Sequence, residues 1–189
     1  TLNQLEKAVD QLKKEGAKSL VFDVRSTYDG TIEYTCRVID YLVPTATEGN
    51  KALATLVVKN GNNVKTYSSD AKDITMPMAV LINSDTAGYG ELFACDLKDF
   101  GKAFLIGEKT AGRADVQETF ELSDGGAVVL TTSKMLPYIS ESFDGKGLTP
   151  DTEIILADSL RENLSTLEKE RDTQLQAAIS MLAGNSSED

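Results

Sequence analysis

Between Met78 and Ile106 the chain passes from one apolar run to another through a stretch that leaves few alternatives. Met78-Ala-Val-Leu-Ile82 reads as a strand buried on both faces, and the small-residue turn from Ser84 to Gly90 follows it. From Glu91 to Phe100 the apolar positions fall at helical spacing. Tyr89, Phe93, Leu97 and Phe100 form one stripe, with Leu92 and Cys95 beside it. Gly101 stops this helix and Ala103 to Ile106 supplies a second short strand. In a tight strand–turn–helix elbow, a nucleophilic serine can sit exposed beside the free amides of the helix start. Here the position where the nucleophile would stand is glycine, Gly88.

The rest of the chain fits around that unit. Leu2, Leu5, Val9 and Leu12 mark one face of an opening helix, with a weak Thr1/Gln4 capping box and Gly16 as its stop. Ser19 to Val24 reads as a buried parallel strand, and Thr31 to Leu42 as a helix with Ile32, Cys36 and Ile39 inward. Pro44 and the polar stretch 45–50 close that helix. Leu53 to Val58 and Val64 to Tyr67 form a hairpin around Asn60 to Asn63, and a polar connector, 68–75, leads back to the central strand. Beyond the elbow a second hairpin pairs 116–122 with 127–132, and Lys134 to Ile139 is expected to add a third strand. Ser140 to Gly147 is read as a flexible loop. Two C-terminal helices follow, one striped by Leu160, Leu164 and Leu167, the other by Leu175, Ala178, Ile179 and Leu182. Strands alternating with helices imply an α/β architecture.

Composition removes several functions. The chain has 189 residues and no histidine, which excludes Ser–His–Asp and Cys–His catalysis and removes the commonest metal ligand. No acidic calcium loop is present either, so neither a metal nor a cofactor is expected. A net charge of −11 opposes nucleic acid and anionic membrane surfaces as partners. Cys36 and Cys95 both fall among apolar neighbours in predicted helices. They read as buried thiols in preference to a disulfide.

The elbow and its sequel resemble the carboxy-terminal processing (tail-specific) protease family, serine peptidases that use a Ser–Lys dyad. The family pattern is roughly N-x-x-T-A-S-x-x-E-x-F-A followed by G-x-A-x-L-x-G-E-x-T-x-G-K-x-x-V-Q. This chain carries Asn83, Thr86, Ala87, Glu91, Phe93 and Ala94 of the first half. It carries Gly101, Ala103, Leu105, Gly107, Glu108, Thr110, Gly112, Val116 and Gln117 of the second, with the spacing kept. The two departures fall on the dyad: Gly88 replaces the serine and Arg113 the lysine. Val21-Phe-Asp-Val-Arg25 and Gly30 are similar to the family's L-D-L-R-x-N-P-G-G, although Thr27-Tyr-Asp29 has drifted from it. Gly147-Leu-Thr-Pro-Asp151 and Asp172-Thr-Gln-Leu-Gln-Ala177 resemble its later motifs.

The resemblance implies a ClpP/crotonase-like ββα superhelix over residues 1–183; the sequence beyond, 184–189, reads as a disordered tail. It also implies an extracytoplasmic location within a longer chain, from which a PDZ domain and an N-terminal helical part are missing here; the start at Thr1, inside a helix-start pattern, agrees with a domain cut from a longer protein. Glu91 and Gln117 are placed as supports of the dyad, and Arg25, Gly30 and Tyr89 beside the oxyanion site.

Gly88 has no side chain, and Arg113 stays protonated. The expectation is a pseudo-protease kept for binding an extended peptide or protein C-terminus, or for assembly. The alternatives are an atypical serine peptidase using Ser84 or Thr86 with Lys109, and a purely structural module. Oligomeric state is not legible.

Overall fold

The computed structural model describes residues 2–43, 52–58, 60, 62–69, 74–161 and 163–185. The capping box at Thr1, Pro44 with the stretch 45–50, part of the Asn60–Asn63 turn, positions 70–73 of the connector and the tail beyond Asn185 lie outside these residues. The core is a parallel sheet of β1 (Leu20–Asp23), β4 (Met78–Ile82), β5 (Ala103–Gly107) and the short β8 (Thr152–Glu153), in the order β1-β4-β5-β8. Every residue of β4 is buried, because both faces of the sheet are covered. Met78, Val80 and Ile82 join one apolar cluster with α2 (Ile32–Leu42) and α3 (Tyr89–Asp99). Ala79 and Leu81 join a second cluster with Ile106, Ala178 and Leu182, the last two from α5 (Thr173–Asn185). Strict alternation inside a wholly apolar strand is what a two-sided parallel sheet requires.

The first helix, α1 (Leu2–Lys14), buries Val9, leaves Leu2 and Leu5 half-buried and turns Leu12 out to solvent. Helix α2 is capped by Thr31, whose hydroxyl accepts from the Tyr34 amide at 3.2 Å. A second, antiparallel sheet holds β2 (Ala52–Val57), β3 (Asn63–Ser68), β6 (Asp115–Glu121) and β7 (Ala127–Leu136), in the order β3-β2-β7-β6. Among the described residues, strand β2 pairs with β7 only at Lys134, Met135 and Leu136. The rest of β7, with β6 beside it, therefore runs on as a two-stranded arm carrying exposed Phe120, Leu122, Val129 and Leu130.

Several expectations need correction. No separate strand forms at 134–139: Lys134 to Leu136 simply continue β7. The chain then turns onto α3, where Tyr138 donates its amide to Asp96 and Ile139 and Ser140 donate theirs to Asp99. The loop 140–147 is anchored by buried Phe143 and by Gly145 donating to the Gly112 carbonyl at 2.8 Å.

The leucine stripe at 160, 164 and 167 does not make a helix. It is broken into the single turn α4 (Asp158–Arg161) and 3-10 turns at Leu164–Thr166 and Lys169–Arg171. Thr166 and Asn163 spend their side chains on nearby carbonyls, which competes with helical bonding. Arg161 is held by Glu108 at 2.6 Å. In α5, which continues through Gly184 and Asn185, Ile179 faces solvent.

Candidate functional site

The elbow is assembled from three loops, after β1, after β4 and after β5. Asn83 begins it at the end of β4. Its side-chain oxygen accepts from the amides of Ser26 (2.8 Å) and Asp85 (3.2 Å), and its amide nitrogen donates to the Ser26 hydroxyl. Thr86 is 0 % exposed; its hydroxyl donates to the Val24 carbonyl at 3.0 Å and accepts from the Asn83 amide. The Ala87 amide donates to the Thr27 carbonyl at 2.9 Å. These bonds fasten the loops after β1 and β4 to each other.

Gly88 is the N-cap of α3, with φ 58° and ψ −115°, a left-handed backbone that side-chain-bearing residues rarely adopt. A Cβ there would meet the carbonyl oxygens of Tyr28 at 3.5 Å and Arg113 at 3.9 Å, which is ordinary contact. The space for a side chain is thus open, and the strain lies in the backbone. The Tyr89 amide, next in the chain, has no hydrogen-bond partner among the described residues, as suits a donor at a helix start.

Glu91, also 0 % exposed, is the hub of the site. One carboxylate oxygen accepts from the Thr110 hydroxyl (2.5 Å) and the Gly112 amide (2.7 Å). The other accepts from the amides of Gly88 (3.0 Å) and Arg113 (2.8 Å). A carboxylate in the first turn of a helix is favoured by the helix dipole, and here four donors offset its burial. Its effect is to bind the loop Thr110–Arg113 against the elbow. Ala111 adds a bond to the Thr86 carbonyl at 3.0 Å.

Gly88 and Arg113 are therefore neighbours in space. A recess of about 330 Å³ beside them is lined by Ser26, Tyr28, Ser84, Asp85, Ala87, Ala111 and Arg113. Ser84 is exposed on it; Lys109 is also exposed but does not line it. Gln117 stands exposed on β6, and Glu91 takes its four hydrogen bonds from other residues. Tyr89 and Gly30 meet on the opposite side: a Cβ on Gly30 would lie 3.5 Å from the Tyr89 ring. That ring lines an apolar recess with Phe22, Val38 and Phe93, and burial, then Glu33 and Asp29, push its hydroxyl titration upward.

Arg25 points elsewhere. Its guanidinium is paired with Asp23 (2.6 Å) and Asp172 (2.7 Å) and donates to Gln174 at 3.0 Å, so it ties the β1 loop to the start of α5. Burial opposes its charge, but the hydrogen bonds and charges of the two aspartates outweigh burial and push its titration further up. Among the described residues Ser26 is the one side-chain-bearing residue with left-handed φ, 57°, and it lies on the recess. Residue type alone gives no signal for it, since its geometry is imposed by distant Asn83. Cys36 and Cys95 are free and buried, and burial pushes both thiols up to about 12. Among the described residues no helix is long and apolar enough to cross a membrane, and no cluster could hold a metal ion.

Residues 1–154 match the model of peptidase family S41. The chain is 31 % identical over 158 residues to the carboxy-terminal processing protease CtpA of Bacillus subtilis (strain 168), covering 84 % of this chain and 33 % of that protein. It is 32 % identical over 160 residues to carboxyl-terminal-processing peptidase 1, chloroplastic, of Arabidopsis thaliana, covering 84 % and 32 %. The chain thus spans about a third of the length of these relatives.

Among solved structures, a photosystem II D1 C-terminal processing protease superposes with a TM-score of 0.71 at 28 % identity, over 82 % of this chain and 39 % of that one. A putative S41 protease from Bacteroides fragilis NCTC 9343 shares the fold, with a TM-score of 0.76 at 22 % identity over 97 % and 49 %. The two-sided α/β core, the glutamate-braced elbow and these matches together establish that the chain belongs to the serine peptidases of family S41, with the α/β fold of that family.

Proposed function

We propose that this chain is a non-proteolytic member of its family, retained to bind the C-terminal segment of an extended peptide or protein. The observation that carries this reading is the pairing of Gly88 with Arg113 in an otherwise intact elbow. A Ser–Lys peptidase needs a hydroxyl to attack and a lysine able to lose its proton. Gly88 offers no atom for the first task. Arg113 cannot perform the second, because a guanidinium stays charged in proteins. Removing the nucleophile of a serine protease lowers turnover by about 10⁶.

Binding survives such losses. The fixed charge of Arg113 and the unpartnered Tyr89 amide both favour a carboxylate. Strand β6 begins just beyond Arg113 and is the outer strand of its sheet, so it offers backbone groups to an added strand. Relatives are named carboxy-terminal processing proteases, which agrees with a C-terminal ligand. One relative is described as chloroplastic and one similar structure as a lipoprotein, which supports an extracytoplasmic setting within a longer chain.

The rival peptidase reading is weakened by Thr86, whose hydroxyl is buried and already bonded in the turn. It would leave Ser84 with exposed Lys109, which does not line the same recess. Two measurements test the proposal. A fluorophosphonate probe should leave the protein unlabelled, and labelling that Ser84→Ala abolishes would refute it. Calorimetry should detect short apolar-ended peptides with a free C-terminus and a weaker response when they are amidated. No heat from either form would favour a purely structural module, and equal affinity would remove the role of Arg113.

A further inference from the structure

The arm carries a charge pattern that capture of a carboxylate does not use. From Val116 to Ser133 the sequence contains Glu118, Glu121 and Asp124 but no lysine or arginine. At the base of the arm the balance differs, because Lys134 bridges Asp115 at 3.1 Å and Asp144 at 2.5 Å, and Arg113 lies just before it. The base thus mixes both signs, whereas the arm beyond it carries carboxylates alone.

The backbone of the same strand is open. Leu122 donates its amide to the Gly126 carbonyl at 2.8 Å, which fixes the phase of the antiparallel ladder. Glu118 and Phe120 then bond inward to β7, while Gln117, Thr119 and Glu121 turn their amides and carbonyls to the free edge. The register places Glu118, Phe120 and Leu130 on one face of the ribbon and Glu121 and Val129 on the other. Phe120, Val129 and Leu130 are exposed. A strand added at this edge alternates its side chains between the two faces, so on each face it meets a carboxylate beside apolar surface.

We propose that the ligand of this site is a cationic, apolar peptide: an extended segment with lysine or arginine interleaved among apolar residues, running antiparallel to β6 and ending in a free carboxylate at Arg113. Strand β6 spans about 24 Å at ~3.4 Å per residue, enough to read the residues upstream of that terminus. This deepens the peptide-binding reading above and rests on it.

Calorimetry at about 50 mM salt, with three peptides sharing one apolar C-terminus and carrying lysine, glutamine or glutamate upstream, separates the two claims. The lysine peptide should bind at least about fivefold more tightly than the glutamine peptide, and the glutamate peptide more weakly still. The double variant Glu118→Gln/Glu121→Gln should narrow that gap to about twofold, as should about 0.5 M salt. Glu168→Gln/Glu170→Gln, which removes the same charge from the C-terminal segment, should leave the gap in place. Equal affinity for the three peptides, or a gap unchanged by the arm variant, overturns the cationic preference while leaving peptide binding intact. Failure of all three to bind overturns peptide binding itself.

Discussion

Asp96 shows how costly a single side chain can be to its own fold. It is 0 % exposed on α3; one carboxyl oxygen accepts from the Tyr138 amide at 3.0 Å, and the other has no partner among the described residues. Burial first, and the charge of Asp99 after it, push its titration well above the ordinary range, against the smaller opposing effect of the Tyr138 bond. The folded state therefore holds this proton more tightly than the unfolded state does. Stability is fullest below the unfolded carboxyl range, about 3.9, and declines as pH rises toward the folded titration. Asp96→Asn should match the parent within about 1 kcal/mol at pH 4 and exceed it by about 1–3 kcal/mol at pH 7. Thermal unfolding across that range checks it, and parallel pH profiles for the two proteins would refute it. At this scale the sequence is readable where spacing alone decides, as for Gly88 and Arg113. It is silent on Asp96, whose state is set by burial in the folded chain, and on Ser26, whose backbone is held by Asn83 far away along the chain.

Among the elements, the elbow was legible because strand, turn and helix each announce themselves locally. The all-apolar β4, the small-residue turn and the helical spacing of α3 agree with one another. The segment after Ala157 was not legible, since its leucine spacing is overruled by Arg161 reaching Glu108 and by side chains of Asn163 and Thr166 bonding backbone. The elbow also yields a test of how far its chemistry has gone. Gly88→Ser adds a hydroxyl in open space at the cost of a strained φ, about 1–3 kcal/mol. Neither that change nor Arg113→Lys alone should produce peptidase activity, because the two groups act as a unit. Together they should give slow phosphonylation by a fluorophosphonate, with loss of fluoride, read by intact-mass spectrometry. Phosphonylation of either single variant at the rate of the double would show that the pair is not a dyad.

On the scale of the whole molecule, the family match ends at residue 154, yet one face of the parallel sheet is covered by residues beyond it. Ala178 and Leu182 pack on Ala79, Leu81 and Ile106, and the Arg25–Asp172 pair holds the start of α5 in place. Ending the chain before Asp172 strips that face and leaves Arg25 with Asp23 alone. Such a truncation is expected to aggregate or to lose its cooperative thermal transition, since uncovered parallel sheets are rarely stable. A soluble truncated chain with an unchanged transition would mean that α5 contributes little.

The acidic arm has one more consequence, for how copies of the chain treat each other. An open strand edge flanked by exposed apolar side chains invites its own duplicate. If two β6 edges met antiparallel about their midpoint, Glu118 would face Glu118 and Asp115 would face Glu121. Like charges brought opposite each other in a ladder are destabilising. The arm is thus expected to act as a colloidal guard, disfavouring edge-to-edge pairing while its edge stays vacant. Screening should lower that guard: sedimentation velocity is expected to show more self-association in about 1 M salt than in 0.01 M, where the Debye length is about 30 Å. Association that is strongest at low salt would mean that other, oppositely charged surfaces govern the encounter.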